Sequence, residues 1–118
     1  MTTPDDLFNF LKENACRSET LKTWDEHAMW WWIRHSLRED SYTYYTSPDG
    51  KLEGLTLCKK DYVNRVMYVM MCVGISRIAL QAMIYYFSQA YPGWKLVGRR
   101  HGQLRNFNVN KLTLWATQ

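Results

Sequence analysis

Residues 65–73 constrain the fold of this chain more than any other segment, because they are nearly all apolar and favour β-strands. A strand of this composition is typical of the centre of a sheet that is covered on both faces. Residues 78–91 are also apolar nearly all round, and Pro92 and Gly93 follow them. We therefore expect a helix that packs against the sheet and against a second surface, and that ends at Pro92.

The N-terminal part of the chain predicts two helices. Thr3 is a suitable cap, Pro4 suits a first turn, and the next two residues are carboxylates that favour the positive end of the helix dipole. The second helix is predicted from about Ser18 or Thr23 to Leu37, where apolar residues recur at helical spacing.

The pattern then changes to that of strands. Residues 42–46 and 52–58 favour strands, and residues 47–50 (Ser-Pro-Asp-Gly) favour a turn between them. Lys59-Lys60-Asp61 is expected to end the second strand. The central strand at residues 65–73 follows, so the three strands form an antiparallel meander.

The last elements form a strand–helix–strand unit. Gly74 breaks the central strand, Ser76 is a suitable N-cap for the helix, and residues 94–100 favour another strand. This strand must lie parallel to the central strand, because a crossover helix joins the two. His101 and Gly102 predict a turn, and residues 103–117 are left unassigned. The expected fold class is therefore α+β, in a single domain that spans residues 1–118.

Charge divides the chain into two unequal halves. All eleven carboxylates lie in residues 1–61 together with eight basic residues, a net charge of −3, whereas residues 62–118 have a net charge of +7. The seven basic residues of the second half are Arg65, Arg77, Lys95, Arg99, Arg100, Arg105 and Lys111. Uncompensated positive charge favours an anionic ligand or partner, such as a nucleotide, a nucleic acid or an acidic protein face.

The densest group of these residues is Arg99, Arg100, His101 and Arg105. Arginine suits phosphate, because its planar guanidinium donates two parallel hydrogen bonds. In a strand, however, Arg99 and His101 face one way and Arg100 the other, so the three cannot all bind one ligand. Three interpretations stay open: a solvated edge strand, a site for an anionic ligand or nucleic acid, and a self-association surface.

The other candidate residues predict structural roles. Cys16, Cys58 and Cys72 have no metal-ligand spacing, and Cys58 and Cys72 are expected to line the core. His27 and His35 are expected to be partly buried helix residues, so no metal site is predicted. The longest apolar run has ten residues, too few to span a bilayer, and we expect a cytoplasmic protein with free thiols.

The order of elements, with a strand–Gly–helix junction late in the chain, resembles a short version of the GCN5-related N-acetyltransferase fold. In that family the junction loop holds the pyrophosphate of acyl-coenzyme A with its backbone N–H groups, as helix N-termini generally bind anions. The corresponding residues here are Val73, Gly74, Ile75, Ser76 and Arg77. The resemblance thus implies an acyltransferase-like domain with a site for acyl-coenzyme A or an acyl carrier protein, and no metal.

Residues 79–99 and Leu21-Lys22-x-Trp24 are similar to the branch of toxin-activating lysine acyltransferases. This chain has Lys22 where the branch has its catalytic His, and Met70 and Met71 where the branch has an Asp in the central strand. The usual loop pattern of the wider family, Arg/Gln-x-x-Gly-x-Gly/Ala, is also absent. The resemblance therefore implies a donor site and leaves the catalytic residues unidentified.

Two other functional classes fit the sequence. The first is a non-enzymatic basic module that binds nucleic acid or an acidic protein, of the kind used by small proteins of phages and mobile elements. The second is a homodimer that covers aromatic or helix faces, since six Trp and eight Tyr exceed what a small core usually needs.

Overall fold

The structure is a computed structural model that describes the backbone of residues 2–100 and 103–107 and the side chains of residues 2–98. It confirms the α+β class. The helices are α1 (Pro4–Glu13), α2 (Glu26–Glu39) and α3 (Arg77–Ala90). The strands are β1 (Tyr42–Thr46), β2 (Leu52–Asp61), β3 (Val66–Gly74), β4 (Lys95–Arg100) and β5 (Gln103–Phe107). They form one sheet in the order β1-β2-β3-β4-β5, in which β3 and β4 are parallel and the other neighbours antiparallel.

The helix starts follow from their caps. Thr3 and Asp6 form a capping box at α1, as the sequence predicted for Thr3. The prediction that the second helix begins near Ser18 or Thr23 was wrong, because Asp25 caps it instead and accepts a hydrogen bond from Ala28 N at 2.8 Å. The residues before it form two short 3₁₀ turns, Ala15–Arg17 and Leu21–Thr23.

The second strand is longer than predicted and includes Lys59, Lys60 and Asp61, which pair with the start of β3. Charged residues are tolerated there because the strand end lies near solvent. The Asp61 carboxylate then accepts hydrogen bonds from Asn64 and from the Val63 backbone, and those from Asn64 hold its pKa below the ordinary value.

A β-bulge in β3 determines which residues face which helices. The register between β2 and β3 shifts where Leu57 pairs with Met71 but Cys58 pairs with Val69, so Met70 is the extra residue. On one face of the sheet, four strand residues pack with α1 and α2 in the main core: Leu55, Leu57, Met71 and Val73. On the other face, a second core cluster forms under the end of α3 from Cys58, Met67, Phe87 and Leu96. The central strand is thus covered on both faces, as predicted.

Helix α3 begins and ends close to the predicted residues and buries Ala79, Met83 and Phe87. Its opposite side is exposed at Ile78, Tyr85 and Tyr86. The second surface expected for this helix is not provided by residues 2–98, so a homodimer through the exposed side stays a prediction. The strand β5, in a segment that the sequence left unassigned, adds an edge to the sheet beside β4.

Ser36 provides a test of the core, because its hydroxyl is fully buried without a hydrogen-bond partner among the described residues. A buried unsatisfied hydroxyl costs stability, so Ser36→Ala is expected to raise the free energy of unfolding by about 1 kcal/mol. The measurement is equilibrium unfolding in urea. Ser88→Ala is the control, because it removes a hydroxyl that donates to Tyr85 O at 2.7 Å, and it is expected to give no gain. A loss of stability in Ser36→Ala would contradict the expectation.

Candidate functional site

The parallel pairing between β3 and β4 ends before either strand does. It runs from Val66 opposite Lys95 to Val69 opposite Gly98. Beyond that point β3 continues to Gly74 and β4 continues to Arg100, and no pairing joins the two within the described residues. The bulge residue Met70 immediately follows the last pair, and a bulge bends the strand that carries it. We refer to the region beside residues 70–74 of β3, where no strand pairing with β4 is described, as the groove.

The edge of β3 that faces the groove carries backbone hydrogen-bonding groups. Ile75 N donates to Glu53 O of β2 at 2.9 Å. The backbone groups of successive residues point to alternate edges of a strand, so those of Gly74 and Cys72 point away from β2 and toward the groove. Buried or half-buried backbone groups need partners, and an extended ligand that lies along this edge would supply them.

The start of α3 lies at the open end of the groove. The Ser76 hydroxyl accepts a hydrogen bond from Ala79 N at 3.1 Å, which confirms the predicted N-cap. Since the N–H groups of Ile75 and Ala79 are used within the protein, an anion bound here would contact the first turn of α3 rather than Ile75. Arg77 is exposed in that turn. Of the predicted site residues Val73–Arg77, Val73 is therefore buried, whereas the helix start at Arg77 is accessible.

Two glycines hold the helix start close to the sheet. Gly74 of β3 lies opposite Gly54 of β2. A Cβ atom at Gly74 would lie 2.7 Å from Leu80 Cγ, and one at Gly54 would lie 2.9 Å from Met83 Cε. A side chain at either position would require Leu80 or Met83 to shift, so the two glycines allow α3 to pack closely on the ends of β2 and β3.

The two strand cysteines have different environments. Cys58 is fully buried, as predicted, and burial raises the pKa of its thiol well above the ordinary value. The prediction that Cys72 lines the core was wrong, because Cys72 is exposed. Cys72 lies on the face of the sheet that α3 covers, but α3 lies mainly over β1 and β2. The Cys72 Sγ accepts a hydrogen bond from the Thr56 hydroxyl at 3.3 Å.

The basic residues of the last strands lie at the same end of the sheet as the groove. Arg99 and Arg100 directly follow the last residue of β4 that pairs with β3, and Arg105 of β5 lies opposite Gly98. His101 lies outside the described residues. The sequence interpretation separated Arg77 from this group. The parallel pairing of β3 and β4 places Arg77 and this group at the same end of the sheet, because the carboxyl ends of parallel strands lie at one edge.

The remaining candidate residues do not join this site. The prediction that His27 is partly buried was wrong, because His27 is exposed. His35 is partly buried, as predicted, and stacks on Trp31 with ring centroids 5.0 Å apart. Lys22 is exposed and lies in a 3₁₀ turn. A cavity of about 390 Å³ lies elsewhere, between α1 and the β1–β2 turn, and its lining includes Asp6, Glu13 and Lys51.

Within residues 2–100 and 103–107, no three His, Cys, Asp or Glu side chains are grouped so that they could hold a metal ion. In the same residues, no helix is both long enough and apolar enough to cross a membrane. Comparison of the chain with protein-family models, with curated proteins and with solved structures finds no match. The groove and the charges around it are therefore the features that bear on function.

Proposed function

We propose that this protein is an acyltransferase-like domain that binds an acyl donor, either acyl-coenzyme A or an acyl carrier protein, in the groove. The observation that carries the proposal is the end of the parallel ladder at Val69 and Gly98, where both strands continue without each other. The phosphopantetheine arm of both donors is an extended chain with two amide groups. Such a chain can hydrogen-bond to an open strand edge as an added strand would.

The charges at the open end of the groove support an anionic donor. The phosphate groups would lie at the first turn of α3, where the helix dipole and Arg77 favour negative charge. Arg99 and Arg100 follow the other side of the groove, and residues 62–118 carry no carboxylate to oppose them. The proposal assigns no catalytic residue, because Lys22 is exposed and Met70 and Met71 are apolar. We also propose a cytoplasmic location, which the free thiols of Cys16, Cys58 and Cys72 support.

Thermal unfolding with added donor tests the proposal. A donor at a hundredfold excess over its Kd is expected to stabilise the protein by about 2.7 kcal/mol. This corresponds to a rise of several degrees in Tm. Acetyl-coenzyme A, a long-chain acyl-coenzyme A and an acylated carrier protein are compared separately. No shift with any of the three at high excess would overturn the proposal.

A charge reversal at the helix start locates the binding site. Arg77→Glu is expected to weaken donor binding by about tenfold or more, because hydrogen bonds to charged groups contribute about 1.5–3 kcal/mol. Arg34→Glu on α2 makes the same charge change at another exposed position and is expected to bind normally. Equal weakening in both variants would contradict the site. Binding of DNA that falls steeply with salt, without donor binding, would favour the basic nucleic-acid module instead.

A further inference from the structure

The turn between β2 and β3 forms an exposed apolar point at the end of the sheet opposite the groove. We call residues 62–65 the hairpin tip. Val63 is 91% exposed and Tyr62 is 64% exposed. The turn is well defined, because the Asp61 carboxylate accepts hydrogen bonds from the backbone N–H groups of Val63 and Asn64, both at 3.1 Å. One exposed aliphatic side chain is ordinary by itself, but Val63 and Tyr62 are adjacent and are exposed together at a fixed turn.

Basic residues surround the hairpin tip. Lys59, Arg65 and Lys95 are exposed, and Lys95 N donates to Arg65 O at 3.0 Å, so the starts of β3 and β4 lie together. The Lys60 ammonium lies 4.8 Å from the ring centroid of Tyr91 and 5.8 Å from that of Tyr62. Four cationic side chains thus lie at this end of the sheet.

Two acidic residues adjoin these cations. The Asp61 carboxylate is already bound by the N–H groups of the turn. Asp40 lies near Tyr91, because its backbone carbonyl accepts a hydrogen bond from the Tyr91 hydroxyl at 3.4 Å. The balance at this end of the sheet is therefore positive, which favours an anionic partner.

Amphipathic aromatic residues lie just behind the tip. The Tyr62 ring is perpendicular to the Trp94 ring with centroids 5.5 Å apart, and the Tyr91 and Trp94 centroids are 5.4 Å apart. Tyrosine and tryptophan with an apolar body and a polar end are enriched at the level of lipid headgroups. From the solvent inward, the tip thus presents the aliphatic Val63 and then the rings of Tyr62, Trp94 and Tyr91, and the four cationic side chains surround them.

From this arrangement we propose that the hairpin tip docks on an anionic phospholipid membrane. Val63 and Tyr62 insert among the acyl chains and headgroups, and Lys59, Arg65 and Lys95 contact lipid phosphates and carboxylates. A nucleic acid is the less suitable partner, because Val63, the most exposed residue of the tip, is aliphatic and contributes neither stacking on a base nor contact with a phosphate. The proposal is independent of acyl-donor binding, since the tip and the groove lie at opposite ends of β3.

Sedimentation with lipid vesicles tests the docking surface. The full-length protein is expected to bind phosphatidylcholine vesicles that contain phosphatidylserine, and to bind pure phosphatidylcholine vesicles much more weakly. Val63→Asp is expected to remove most of the binding, and its high exposure means that the fold is retained. Lys59→Gln is expected to weaken binding about fivefold, because each basic residue near an anionic surface contributes about that factor.

Lys51→Gln is the matched control, since Lys51 is also exposed but lies beyond the opposite end of β2. It is expected to bind vesicles like the unchanged protein. Absence of binding to phosphatidylserine vesicles, or equal binding by the Val63→Asp and Lys51→Gln variants, would overturn the proposal. Binding to DNA that Lys59→Gln weakens, without vesicle binding, would likewise overturn it and indicate a nucleic-acid partner.

Discussion

Leu57→Ala is expected to lower the free energy of unfolding by about 2–5 kcal/mol, a loss typical of a leucine removed from a packed core. Leu57 is fully buried in the main core cluster, opposite Met71 and next to the bulge. The space it leaves lies under two helices and within the sheet, so the surroundings have little freedom to close it. A loss of this size is a large part of the total stability of a small domain, which is about 5–15 kcal/mol.

Equilibrium unfolding in urea, followed by tryptophan fluorescence and by circular dichroism, measures this loss. Leu52→Ala in the same strand is the control, because Leu52 is only partly buried at the edge of the cluster. It is expected to cost clearly less than Leu57→Ala. Similar losses in the two variants would mean that the core around Leu57 is not packed as described.

Gly54→Ala is expected to have the second largest effect, a loss of about 1–3 kcal/mol from overpacking. The added Cβ would lie 2.9 Å from Met83 Cε, 3.1 Å from Met83 Sδ and 3.2 Å from Ala79 Cβ. Met83 is buried, so the end of its side chain has little room to shift, and the contact with Ala79 Cβ would press on α3 itself. If α3 shifts at Ala79, the helix start shifts with it, and donor binding is then expected to weaken together with stability.

A double-mutant cycle separates steric overlap from other causes. Met83→Ala removes the atoms that the new Cβ would meet, so Gly54→Ala is expected to cost less in the Met83→Ala background than in the unchanged protein. Thermal unfolding of the four proteins gives the interaction free energy. If the cost of Gly54→Ala were the same in both backgrounds, contact with Met83 could not be its cause.

Much of the fold follows from local sequence. Ser76 caps α3 because a short hydroxyl side chain at the first turn satisfies a helix N–H, and this signal is contained in four residues. The parallel arrangement of β3 and β4 follows from the helix between them. The start of α2 was misjudged because Ser18, Thr23 and Asp25 are all suitable caps, and the 3₁₀ turns that decide between them depend on the burial of Leu21.

The groove was harder to predict, because it depends on pairing between distant residues. The sequence located the loop at Gly74 and Ser76, yet nothing within residues 65–74 marks Met70 as the bulge. The bulge is defined only when β2 and β3 are aligned, and it determines where β3 leaves β4. The exposure of Cys72 was also hard to predict: its neighbours in sequence are those of a core residue, and its exposure depends on where α3 crosses the sheet.

The four-pair ladder between β3 and β4 has a mechanical consequence. The three antiparallel strands β1, β2 and β3 pair with one another, whereas in the described residues β4 pairs with β3 through four residue pairs and packs on it through Leu96 in the second core cluster. Widening at this seam breaks fewer backbone hydrogen bonds than separation of β2 from β3, which share eight pairs. The sheet is therefore expected to change width most easily between β3 and β4, while β1, β2 and β3 stay paired with one another and β4 stays paired with β5.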